Sequence, residues 1–184
     1  YAQAAAMAMG RAMDDVIIAA ATGTAFTGET GATSTAAQTA IAAGGAGLTI
    51  AKLRTAKQTF DLASVDPSIP RHIVVGPEQI TNLLSTTEVT SSDFNTVKAL
   101  VQGEIDSFLG FKFTVSNRLA KSGNDRTCIA FAQDGITLAI GKDVSARIDE
   151  RADKSYATQV YYCQSIGATR MEEAKVLGIV CQEA

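Results

Sequence analysis

Residues Gly110–Leu119 read GFKFTVSNRL. Phe111, Phe113 and Val115 alternate with Lys112 and Thr114, the period of a strand with one face against a core. Ser116-Asn117-Arg118 follows, polar residues that suit a turn or a strand end. Such an end suits the rim of an active site, a binding edge, or a joint in something built from many copies. The chain on either side narrows the choice.

On the N-terminal side, Ala2 to Ala21 reads as a long helix with Met9, Met13, Val16, Ile17 and Ala20 on one stripe. Arg11, Asp14 and Asp15 sit within it, which argues against a membrane span or a signal peptide. A Gly/Thr/Ala stretch then reads as an exposed loop or strap. Thr49 caps a second helix, with Ile50, Leu53, Ala56 and Phe60 inward and Lys52, Arg54, Lys57 and Gln58 outward. SVDPSIPR breaks it. His72 to Gly76 is a short buried strand, and Pro77 opens a helix through Leu84. A polar loop, Ser85 to Ser92, leads to a helix carrying Phe94, Val97, Leu100 and Val101, stopped at Gly103.

Beyond the opening strand, Ala120 to Arg126 forms an exposed hairpin-like loop and TCIAFA a strand. Asp134 to Gly141 fits a short helix or a strand, and periodicity does not choose. Val144 to Arg151 and Ala157 to Ile166 are β-rich, GATRMEEAK turns the chain, and Lys175 to Cys181 returns it. Helices and strands mixed in this order imply an α+β fold with an insertion.

The 184 residues suffice for one good core. Charged residues are 19%, below the usual ~25%, and mean hydropathy is +0.11. The resulting surface is rich in Thr, Ser, Gln, Gly and Ala and poor in repulsion, which favours self-association. A net charge of −3 with scattered basic residues argues against nucleic-acid binding by counterion release. Cys128, Cys163 and Cys181 are widely spaced with no CxxC, so unpaired, mostly buried thiols are expected.

Catalytic signatures are scarce. The single histidine, His72, has no serine or cysteine motif beside it and excludes multi-histidine metal sites. GITLAIGKD misses the P-loop spacing, and Asp143 stands where a magnesium-binding Ser or Thr belongs. GGAGLT lacks the third glycine of a dinucleotide fingerprint. Asp14-Asp15 and Glu172-Glu173 are adjacent pairs that diverge on a helix and suit solvated faces. No catalytic, cofactor-binding or metal-ligating residue is assigned. The competing enzyme reading needs a small cytosolic α+β protein with an anion site at the Gly-rich loop before Thr49.

Four stretches in order carry a family likeness. They are AMAMGRAMDDVIIAAATGTAFTGETG, GLTIAKLRTAKQTFDLASVDPSIPRHIVVGPEQITNLL, FNTVKALVQGEIDSFLGFKFTVSNRL and YYCQSIGATRMEEAKVLGIVCQEA. Together they resemble the bacteriophage major capsid proteins of the Hong Kong ninety-seven-type fold. The resemblance implies a peripheral domain at 1–68 with the spine helix, an apical domain at 69–141, and closing peripheral strands at 142–184. It implies a non-enzymatic subunit of an icosahedral phage head, forming pentamers and hexamers around double-stranded DNA without sequence-specific binding. Implied partners are copies of itself and scaffolding, portal or decoration proteins, with no cofactor and no membrane. The implied location is the virion capsid, assembled in host cytoplasm. The same fold builds encapsulin shells, which sequence physics does not separate from phage heads. The family's N-terminal arm and E-loop precede the spine helix, and the chain printed here starts within it. A processed or truncated product is therefore expected, folding but remaining a monomer or small oligomer.

Overall fold

The computed structural model describes residues 2–85 and 107–183. The expected loop from Ser85 to Ser92, beyond its first residue, and the helix around Phe94 to Val101 lie outside the described residues. Helix α1 (Ala2–Thr22) is followed by a small hairpin, β1 (Ala25–Thr27) and β2 (Thr33–Thr35). After a strap come α2 (Ile50–Leu62), β3 (Arg71–Val75) and α3 (Pro77–Leu84). Strands β4 (Ser107–Phe108), β5 (Phe111–Val115), β6 (Lys121–Ser122) and β7 (Asp125–Ala132) build the middle. Two long strands, β8 (Ile136–Arg151) and β9 (Ala157–Arg170), precede the last, β10 (Val176–Gln182). The undecided segment after Asp134 is strand.

The central sheet runs β10-β7-β3-β5-β4, with β6 also on β7. Strands β3 and β5 are parallel, and the intervening chain through α3 supplies the long connection that a parallel pair requires. One face carries Ile73, Val75, Phe111, Phe113, Cys128, Ala130, Leu177 and Ile179, all buried. Against it α2 sets Leu53, Ala56 and Phe60, with the Phe60 and Phe111 rings 6.0 Å apart. Thr49 caps α2 as expected, accepting from the Lys52 amide at 3.4 Å.

Helix α2 and strand β10 share one buried cluster with β3, β5 and β7. Strand β10 leaves the long strands and pairs with β7 from Val176↔Phe131 to Gln182↔Asp125. Its alternating apolar side chains fill the sheet face beside Cys128 and Ala130, an outcome that a period of two cannot distinguish from pairing with β9. The long β8–β9 hairpin begins already at Ile136.

Arg170 joins this hairpin to α1. Only 4% exposed, it donates from Nη1 to the carbonyls of Ala20 (3.3 Å), Ala21 (3.1 Å) and Gly23 (2.7 Å). Its Nη2 donates to Thr35 O at 3.1 Å. A helix C-terminus leaves carbonyls without intrahelical donors and carries partial negative charge, so a guanidinium there satisfies both. Arg170→Met should lower unfolding stability by about 3–5 kcal/mol, because buried acceptors left without donors cost about 1–3 kcal/mol each. Urea denaturation measures this, and hydrogen exchange should quicken at the end of α1. A loss below about 1 kcal/mol would show that other contacts hold the helix.

Candidate assembly surfaces

The strand end that opened the sequence reading is a joint. Arg118, at the exit of β5, forms a two-pronged ion pair with Asp15 on the exposed side of α1. The guanidinium holds the Asp15 carboxyl below its ordinary value. The pair ties the central sheet to the long helix a turn and a half away from the Arg170 clamp.

A second cluster fastens the chain's last described residues. Glu183, 4% exposed, pairs with Arg126 and with Lys121 at 2.5 Å, and accepts from Gln79 Nε2 at 3.1 Å. Arg126 beside it, with Lys121, lowers its pKa to about 2. The Ala120–Arg126 loop is a tight hairpin, with Ser122 paired to Asp125 and Gly123 at φ 61. Ala120 to Asn124 are exposed as expected, while Arg126 is half-buried in its pairing with Glu183 and Asp125 is half-buried in its sheet pairing with Gln182.

Lys52 corrects the expected outward face of α2. It is 9% exposed, and its Nζ donates to Ala46 O (2.7 Å), Gly47 O (2.8 Å) and Val180 O (3.0 Å). The Gly-rich loop before Thr49 therefore aims carbonyl acceptors at the protein's own ammonium. That is the opposite polarity to the anion site considered from the sequence, which requires N–H donors. The strap also covers the free edge of β10. Ile41 N donates to Gly178 O at 2.9 Å, and Ile41 O accepts from Val180 N at 2.8 Å.

The β8–β9 hairpin is the largest exposed feature. At about 3.3 Å per residue the 14 residues of β9 span roughly 46 Å. The 21 residues of α1, which lies along β9, span about 31 Å. Among the described residues the outer end of the hairpin is therefore uncovered. Directly opposed residues share a face, so Ala146–Tyr162 and Ile148–Val160 form an apolar strip continuing the side that α1 packs against. Ile148 is 69% exposed there. The other face, with Arg147–Tyr161 and Asp149–Gln159, is polar. Ser155 and Tyr156 turn the tip through left-handed φ values of 52° and 58°. The sequence marked these strands but not the uncovered face, which depends on where α1 stops.

His72 is half-buried and stacked on Phe131, its cross-strand neighbour, with ring centres 5.6 Å apart. Among the described residues no group of three His, Cys, Asp or Glu side chains converges to hold a metal. No described helix is long and apolar enough to cross a membrane. All three thiols are unpaired. Cys128 and Cys181 are buried on neighbouring strands, and the hydrogen bond between them, with burial, pushes the Cys128 thiol up. Cys163 departs from the buried expectation. It is half-exposed on β9, with Sγ 2.9 Å from Ser145 Oγ.

The phage capsid protein family model matches residues 1–183. The chain belongs to the phage capsid protein family. Solved structures with the same fold include one from Mycobacterium phage Che8, 22% identical with a TM-score of 0.67, matching 97% of this chain and 62% of that one. The capsid of an empty GTA particle is 14% identical with a TM-score of 0.68, covering 98% of this chain and 65% of that one. The head of Helicobacter pylori bacteriophage KHP40 is 13% identical with a TM-score of 0.66, over 95% and 66%. The capsid chain thus spans about two thirds of the length of these structures. No curated protein matches it by sequence.

Two measurements follow from the site geometry of this capsid chain. Glu183 titrates below the ordinary glutamate value of 4.5, so its ion pairs stabilise the fold above that pH. Their contribution should fade as pH falls from 4.5 toward about 2. Urea midpoints of wild type and Glu183→Gln should accordingly differ at pH 7 and converge near pH 2, and a constant gap would contradict the pairing. For the thiols, a disulfide-exchange reagent should label Cys163 in the native protein, and Cys128 and Cys181 only after unfolding. Labelling of all three at one rate in the native state would contradict the packing.

Proposed function

We propose that this chain is a structural, non-enzymatic subunit of an icosahedral phage head, self-assembling into pentamers and hexamers that enclose double-stranded DNA. The observation that carries this reading is the pairing of the capsid-family fold with a projecting hairpin whose apolar strip at Ile148 and Val160 is left open. A protein that stays alone buries such a strip within itself, whereas a tile leaves it for a neighbour.

In this reading α1 and the β8–β9 hairpin form the peripheral unit. The central sheet with α2, α3 and β10 forms the apical unit, redrawing the boundaries expected at 68 and 141. The exposed Ala120–Arg126 hairpin lies near the capsomer axis. An acidic chain with no basic stripe encloses DNA without gripping it, consistent with the net charge of −3. The subunit resides in the virion capsid and assembles in host cytoplasm, with scaffolding, portal or decoration proteins as further partners.

The test is composition and position. In purified particles of the source phage this chain should be the most abundant protein by mass spectrometry. Charged substitution at Ile148 (Ile148→Lys) should reduce particle yield at least tenfold while the soluble chain stays folded. Particles lacking the chain would overturn the proposal.

A further inference from the structure

Strands β8 and β9 form a sheet of two, so each has a second edge whose N–H and C=O groups meet no further strand. The two edges are defended unequally. Strand β8 carries Lys142, Asp143, Arg147, Asp149, Glu150 and Arg151, and its register breaks between Ile140 and Lys142 and again between Lys142 and Ser145. Charges and bulges of this kind turn an edge away from pairing. Strand β9 reads ATQVYYCQSIGATR, with no proline and with the buried Arg170 as its one charge. From Ala157 to Cys163 its register against β8 is unbroken.

Among the described residues, no main-chain hydrogen bond apart from the β8 ladder reaches residues 157–169. Residues 157–161 are all exposed, where the hairpin outruns α1. This outer stretch is therefore a row of open donors and acceptors, carried by Thr, Val and Tyr, residue types that suit a strand. A partner for it has to be extended, regular and free of charge at the contact. Of the described strands, β10 has its edge taken by the strap at Ile41, and only β8 and β9 are long and open enough to match. Strand β8 fails by its bulges and charges. Strand β9 of a second copy brings neither.

We propose that residues 157–163 of β9 pair antiparallel with the same residues of a second copy, joining two hairpins into one four-stranded sheet in the order β8-β9-β9-β8. A two-fold axis through the middle of the stretch relates the copies, the self-complementary arrangement commonest among homo-oligomers. Val160, Tyr161 and Tyr162 then lie beside their counterparts, and cross-strand neighbours of the β-branched and aromatic kind stabilise a pair. The main chain supplies the attraction, and the uncharged side chains leave it unopposed. The contact lies on the edge of the hairpin and not on the Ile148 strip, so it stands or falls apart from the proposed head function.

Sedimentation equilibrium of the chain over a range of concentrations, with amide hydrogen exchange at each, tests this pairing. A monomer–dimer equilibrium is expected, with protection of alternate amides in residues 157–163 rising as the dimer forms. Proline is tolerated where a strand's N–H points away from its ladder, and successive amides point to opposite edges. Of Thr158→Pro and Gln159→Pro, one therefore leaves the β8 ladder intact, and that variant should weaken the dimer at least tenfold. If neither folds by circular dichroism, Gln159→Lys on the exposed polar face carries the test, because it sets two ammonium groups near each other across the pair. The same tenfold weakening is expected of it, while Ile148→Lys should leave the dimer unchanged. A chain that stays monomeric at every concentration overturns the proposal. So does a dimer that no folded edge variant weakens, or one that Ile148→Lys abolishes. Full protection of the outward amides in the monomer also overturns it, since a segment of the same chain would then hold the edge.

Discussion

One buried guanidinium sets the relation between the two long elements of this protein. Arg170 stands at the end of β9 and gathers carbonyls from the last turn of α1, from Gly23 and from β2. Without it, the end of the helix would face the sheet with unsatisfied acceptors, and the small β1–β2 hairpin would have little to hold it. The helix then runs back along β9, with Arg170 fixing its C-terminal end. Asp15–Arg118 adds a surface contact to the central sheet, weaker by its exposure but directional by its two prongs.

The same logic repeats at the sheet edge. Strand β10 would present a row of open N–H and C=O groups, a template for unwanted pairing. Here the strap occupies it through Ile41, and Lys52 ties the strap carbonyls of Ala46 and Gly47 to that of Val180 on β10. Glu183 closes the far end with Arg126 and Lys121. Buried charges are costly unless every donor and acceptor finds a partner, and at Lys52 and Glu183 the partners are present.

This economy inside contrasts with the outer hairpin. Its apolar strip has no cover among the described residues, where α1 is shorter than the strand it follows. In the proposed shell reading, that exposed strip is where a neighbouring copy would pack.

Much of this was legible from residues alone. The apolar spacing of Met9, Met13 and Ile17 located α1, Thr49 marked the cap of α2, Pro77 opened α3, and the alternation in GFKFTV placed β5. These are local signals, set by backbone propensity and by side-chain period within a few residues. Others were not readable. Lys52 looked outward by periodicity, yet the strap carbonyls turned it in. Cys163 looked like a core thiol among apolar neighbours, yet it lies beside Ser145 on the polar face of the hairpin, the side opposite the apolar strip. Strand β10 looked like a partner of the long strands, yet it completes the central sheet. In each case the deciding neighbour is more than 15 residues away in the chain or belongs to another element, and a local pattern carries no information about which face will meet it. The amino-acid order by itself determined the elements and their apolar faces. Tertiary packing alone decided which polar groups would be buried in pairs, and which apolar face would be left uncovered, because both depend on where separate elements end against one another.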